Sequence, residues 1–487
     1  MLLSTALGLN QSQPMLDFVD IDLDHDFPLF IDPAGFLNPR DSFAEKCKVD
    51  LQDFFDAVLK QIAKGAHAKG TELLEGLKEP NETHLGVSSD QPRGRGLGAK
   101  QAAQVMESLR NSAAGKSGLL KDLTDVALFI DGIGADKISD MTTNIIRRHL
   151  IEYTQQQFEF HNQRIVGTVP SGLLWDTGNG RWITDDYDKI PVVNGHRVLL
   201  VPKRYVRWKG GLQQATQKYY NHFVANFIRD DQLRTNGKLV EVVVSKRKPP
   251  KRVVYKKAVK KEFPLTKSFI AEFSSKNPKE YEKFRRQHDR FAPVGIRTLI
   301  EVKGGTFEES KFDNGLILAL RKIATGRKSA TEYHHFITGV LTYIFYPDLI
   351  SPSLEYDIDD KRKRIDIAFL NSADTGFFKD RKDDAFTRAR EVTVECKNYA
   401  DDIANPEIDQ MGGRFDQLRG LFGIILCRKN DNKPLVMKRC QDVFRKQRGL
   451  IIVMDDEDIE LILSQNTTTR YAYVQDLLRQ RMREVSR

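Results

Sequence analysis

Three residues in the C-terminal third have the types and spacing for phosphodiester chemistry. Asp366 lies in the run Arg364-Ile365-Asp366-Ile367-Ala368-Phe369. Glu395 and Lys397 lie in Val392-Thr393-Val394-Glu395-Cys396-Lys397. In a strand, side chains alternate between faces, so Glu395 and Lys397 point one way while Val392, Val394 and Cys396 point the other. A neighbouring strand can bring Asp366 beside them. Two carboxylates make a hard oxygen site suited to Mg²⁺ or Mn²⁺. A lysine next to that site can hold a water or steady charge on a phosphate. Hydrolysis of a phosphodiester needs this set: a metal-bound nucleophile, a Lewis acid on the phosphate and a cation near the developing charge. An exposed strand also carries alternating Glu and Lys with no chemistry attached. Here the opposite face is apolar, and an acid precedes it on an earlier apolar run.

Elements that could position these residues are legible around them. Helical periodicity covers 307–324 and 329–346, the second ended by Pro347. Strand-like runs follow at 353–359, 364–371 and 391–399, a helix at 406–419, strands at 421–428 and 449–454, and a short helix at 456–464. The order is α-β-β-β-α-β with an appended β-α.

With these motifs (RIDIAF, then EVTVECKNY), residues 327–463 resemble the PD-(D/E)XK, or restriction-endonuclease-like, nuclease superfamily. The resemblance implies an α/β fold, mixed α+β overall, with a restriction-endonuclease-like C-terminal core. It implies that Asp366, Glu395 and the backbone carbonyl of Cys396 ligate Mg²⁺ or Mn²⁺, and that Lys397 is catalytic. Glu332 matches a supporting acid on the preceding helix. Gln410, with Arg414 four residues on, matches a polar helix position after the lysine. It further implies a nucleic-acid substrate, DNA before RNA. Cutting both strands of a duplex needs two sites, so a homodimer or a transient pairing is expected. Fused to a large recognition region, such a nuclease fits prokaryotic anti-phage or mobile-element defence, with a protein partner or trigger acting through the N-terminal domain. Two departures stand out: Ile365 precedes the aspartate where the superfamily often has proline, and a charged insertion, 375–390, separates Asp366 from Glu395.

At 487 residues the chain is long enough for two or three domains. Three regions are expected: a mixed N-terminal domain over 1–160, a basic nucleic-acid-binding region over 161–306 and the nuclease over 307–487. Charge supports that division. Residues 1–100 hold 10 Lys/Arg against 16 Asp/Glu, whereas 201–300 hold 25 against 8. A local excess of that size attracts polyanions. Lys203, Arg204 and Arg207 flank Tyr205 and Trp208. A basic run carries Lys246, Arg247, Lys248, Lys251, Arg252, Lys256 and Lys257, with Tyr255 among them. Cations interleaved with aromatics suit backbone neutralisation and base stacking.

Four cysteines without a CxxC pair, the absence of a signal-like basic n-region and the lack of any membrane-length apolar run lead to the expectation of a cytoplasmic protein with no membrane partner. Gly115-Lys116-Ser117 lacks the glycine a phosphate-binding loop needs, since Arg110 stands there. Asp131–Asp140 (DGIGADKISD) reads as a tight turn feeding a helix, with a brief likeness to a helix-hairpin-helix. Asp20, Asp22 and Asp24 alternate along an expected strand as an acidic edge, and Arg93 and Arg95 lie in a Gly-rich linker. Two rival functions share these features: a non-catalytic nucleic-acid-binding or structural subunit, and a nuclease for RNA or single strands.

Overall fold

The computed structural model describes residues 1–86, 99–184, 189–208, 210–245, 248–288, 293–302, 304–358 and 363–487. The chain divides into two compact units. Unit 1 comprises Met1–Ala6, Ile21–Glu159 and Arg164–Val294; unit 2 comprises Leu7–Asp20, Phe160–Gln163 and Gly295–Arg487. The fold is mixed helix and sheet, as expected.

Unit 1 merges most of the two regions expected on either side of residue 160. The short strand β1 (Leu29–Ile31) pairs antiparallel with β7 (Val206–Trp208). Helix α1 (Ser42–Ala63) is capped by Asp41, whose side chain accepts from the Ala44 N–H. Helices α2 (Leu123–Phe129), α3 (Ala135–Ile145) and α4 (Arg147–Phe160) follow. Small antiparallel sheets come next: β2 (Gly167–Pro170), β5 (Lys189–Val193) and β6 (His196–Arg197) in order β2-β5-β6, and the hairpin of β3 (Leu173–Asp176) with β4 (Arg181–Thr184). Helix α5 (Ala225–Thr235) leads to a two-stranded ribbon, β8 (Glu241–Ser245) with β9 (Lys248–Val253), and to α6 (Lys256–Glu262). Ion pairs run between the two expected regions, Asp41 with Arg204 and Asp32 with Arg207, while Glu82 pairs with Arg147 within the first. Of the strand expected along Asp20, Asp22 and Asp24, Asp22 forms an isolated bridge with Leu2.

Unit 2 begins its core with α7 (Glu309–Lys322) and α8 (Ala330–Phe345). Five strands form one sheet in sequence order: β10 (Leu349–Ile358), β11 (Lys363–Asn371), β12 (Glu391–Lys397), β13 (Phe422–Cys427) and β14 (Leu450–Asp455). The first three pair antiparallel, while β12–β13 and β13–β14 pair parallel. Parallel neighbours need crossovers. These are α10 (Asn405–Gly412) and α11 (Lys433–Arg445), the latter not anticipated. The wholly buried runs β13 and β14 read as near-continuous apolar sequence for that reason. Helix α9 (Gly376–Asp383) occupies the charged insertion and sends Phe377 and Phe378 into the core. Helices α12 (Asp456–Ser464) and α13 (Thr467–Val485) complete the unit.

Candidate functional site

The site assembles at the C-terminal end of β12. Strand alternation puts Val392, Val394 and Cys396 into the core beneath α8, and Thr393, Glu395 and Lys397 on the opposite face. The β11–β12 pairing ends at Ile367↔Val394, and one step further in that register Asp366 stands opposite Glu395. There the Cys396 N–H donates not to a ladder carbonyl but to Asp366 Oδ2, at 3.0 Å. The aspartate is half-buried and the glutamate fully buried.

A buried carboxylate must be compensated. Glu395 Oε1 accepts from Lys397 Nζ at 2.6 Å, and Oε2 is ion-paired with Arg414 Nη1. Lys397 Nζ also lies 3.5 Å from Gln410 Oε1 and 6.0 Å from the Tyr399 ring centroid. Burial pushes the Arg414 guanidinium below its ordinary value, and the negative charge of Asp366 opposes that shift. Burial pushes the Cys396 thiol well above its ordinary value, so it serves as packing.

Arg414 reaches Glu395 because α10 is shorter than the helix expected over 406–419. It ends at Gly412, with Gly413 as cap and Arg414 N–H on the Met411 carbonyl at 3.0 Å. Arg414 therefore does not share a helix face with Gln410. The turn is held down by Phe415: a side chain at Gly423 or Gly449 would run into its ring.

Behind Lys397, Asn398 fixes the strand end. Its Nδ2 donates to the carbonyls of Ala324 and Gly326, each at 3.0 Å, and its Oδ1 accepts from Arg428 Nη1 at 2.9 Å. Arg428 also donates to Asp456, which receives the Tyr333 hydroxyl. Sequence reasoning missed Asn398 and Tyr399; their only signal was adjacency to the acid-x-lysine motif.

Glu332 is exposed in the first turn of α8, while its neighbour Tyr333 turns inward. The cations assigned to unit 1 divide sharply. Lys203 and Arg204 are buried, and Arg204 Nη1 lies 3.5 Å from Asp41. Arg207 Nε lies 2.8 Å from Asp32, and Tyr205 stacks on Phe36 and donates to Asp41. These groups neutralise the interior rather than face a polyanion. By contrast Lys251, Arg252, Lys256 and Lys257 are exposed. The Lys248 side chain, Lys246, Arg247, Arg93 and Arg95 lie outside the described residues. Asp22 and Asp24 hold the Met1 amine, and Asp131–Asp140 forms the expected turn into α3.

Among the described residues no group of three or more His, Cys, Asp or Glu side chains gathers as a metal cluster. The donors that fit a hard divalent cation are Asp366, Glu395 and the Cys396 carbonyl. At Glu395 such an ion would share the carboxylate with Lys397 and Arg414.

A family described as a domain of unknown function, DUF8370, matches residues 8–213. No curated protein and no solved structure matches the chain. Among the described residues, no helix is long and apolar enough to cross a membrane.

Proposed function

We propose that unit 2 is a Mg²⁺- or Mn²⁺-dependent phosphodiester hydrolase, an endonuclease of the PD-(D/E)XK kind with DNA as its substrate. The observation that carries this is Glu395 and Lys397 side by side on β12, with Asp366 bonded to the same strand from β11. The antiparallel-antiparallel-parallel pairing of β10 to β13, with α10 as crossover, supports it.

A bound divalent ion would supply Lewis acidity and an activated water. Asp366, Glu395 and the Cys396 carbonyl would hold it. The Lys397 ammonium, steered by Gln410, stands where it can hold the attacking water or steady the phosphate. Arg414 changes partner: its guanidinium leaves Glu395 and takes phosphate oxygens, for which its planar fork is shaped. Unit 1, matched in part by DUF8370, is assigned the recognition or sensing role, in keeping with a triggered defence nuclease.

The test is cleavage of plasmid, single-stranded DNA and RNA with Mg²⁺, Mn²⁺ or EDTA, comparing wild type with Glu395→Ala and Lys397→Ala. Metal-dependent products lost in both variants are expected. Products that persist in both would remove the site from the reaction. One observation favours a second reading, a non-cleaving binding subunit: Glu395 is already neutralised by two cations. Absence of both products and Mn²⁺ binding by calorimetry would select it.

A further inference from the structure

The β8–β9 ribbon of unit 1 is exposed on both faces. Val242 and Val244 are 61% and 76% exposed, and Val243 is exposed beside them. A two-stranded ribbon alone is marginal in water. Its cross-strand register sets Val242 against Arg252 and Val243 against Lys251, so each face carries a valine next to a cation. The base is anchored by buried Val254 and by α6, whose Val259 is buried while Lys256, Lys257, Lys260 and Lys261 are exposed.

Each face carries an exposed valine, and that restricts the partner; on the Val242 face the Arg252 guanidinium is tied to the Leu233 carbonyl at 2.6 Å, so the ammonium groups left for phosphate are those of Lys251 and the α6 lysines. A flat surface would cover one face and leave the other valine in water. A cleft with negative charge on both walls would satisfy both faces. Strand addition along β9 is a poor alternative, because Pro249 and Pro250 offer no N–H. The major groove of B-DNA is about 12 Å wide, admits a two-stranded ribbon, has phosphates along both walls and presents thymine methyl groups on its floor. The major groove of an RNA duplex is too deep and narrow for side chains to read.

We propose that the β8–β9 ribbon is a duplex-DNA arm that enters the major groove, with Lys251 and the α6 lysines on the phosphate backbones. The substrate class rests on the nuclease reading, but every residue invoked lies outside that site.

The test is fluorescence anisotropy of the full chain in EDTA with a 20-base-pair duplex (about two turns), its isolated strand and the matching RNA duplex, over a salt series. Lys251→Ala is expected to weaken duplex-DNA binding several-fold and to lower the salt slope by about one. Val242→Ser with Val244→Ser is expected to weaken duplex-DNA binding about tenfold, the scale of a lost apolar base contact, with an unchanged salt slope and unchanged single-strand binding. Should those serines unfold the ribbon, amide exchange of wild type decides instead: residues 241–253 are slowed by duplex DNA and not by the single strand. Variants that bind duplex DNA like wild type, or equal protection by the single strand or by duplex RNA, would overturn the arm. Loss of cleavage in Glu395→Ala with duplex binding intact keeps the two proposals separable. Cleavage that survives a failed arm test condemns the arm alone.

Discussion

Arg414 occupies the one oxygen of the Glu395 carboxylate that Lys397 leaves over. Removing Arg414 leaves a fully buried carboxylate with half its compensation. Losing one partner of a buried pair costs roughly 3–5 kcal/mol, so Arg414→Gln is expected to lower the stability of unit 2 by about that amount. Mn²⁺ should then stabilise the variant more than wild type, because the ion no longer competes with a guanidinium. Thermal melts with and without Mn²⁺ check both; equal metal shifts in the two proteins would deny the competition.

Gln410 Oε1 lies 3.5 Å from Lys397 Nζ, so on the nuclease reading its expected part is to position the lysine. Gln410→Ala is expected to lower kcat by up to about tenfold with KM held, well short of the roughly 10²-fold or greater loss for Lys397→Ala. Gln410→Glu, which keeps an acceptor at that position, should restore most of the rate. A change in KM alone would place Gln410 on the substrate instead.

Asn398 closes the strand end with three hydrogen bonds. Asn398→Ala leaves the Ala324 and Gly326 carbonyls and Arg428 short of a partner. The expected cost is about 1–3 kcal/mol, read in a denaturant melt, with duplex binding through unit 1 unaltered. A melt indistinguishable from wild type would mean that the strand end is held by its ladder alone.

Asp140 gives unit 1 a pH dependence. Burial, and then the neighbouring charges of Asp136, Glu79 and Asp26, push its carboxyl from 3.8 up to about 8. Between those values the folded unit keeps a proton that the unfolded chain has released. Its contribution is therefore whole below pH 4 and is lost as pH rises to about 8. Each tenfold difference in proton affinity is worth about 1.4 kcal/mol at most. Asp140→Asn should match wild type in urea near pH 4 and exceed it by up to a few kcal/mol near pH 8.5. A pH-independent difference would contradict this.

Much of unit 2 was legible because its alternating and near-continuous apolar runs, bounded by turns, read as strands. Alternation set Glu395 and Lys397 on one face, and the resemblance added Asp366. Arg414 could not be placed, since its position depends on α10 stopping at Gly412, and a Gly-Gly pair inside a helical pattern marks only a place where a helix can end. Helix α11 went unseen because Lys433–Arg445 is rich in charge and only Val436, Cys440 and Val443 face inward. In unit 1 the net charge of a segment misled. Arg204 and Arg207 look like a polyanion surface until the acids they meet, more than 160 positions away for Arg204 and Asp41, are known.

Phe415, seated over Gly423 and Gly449, pins the backbone on the residue next to Arg414. Whatever exchange Arg414 makes between Glu395 and another anion is then a rotamer change at one side chain, with no hinge. Its rate would be set by breaking a buried ion pair and not by the movement of a lid. The arginine Nε–H resonance is the reporter that would see the site open.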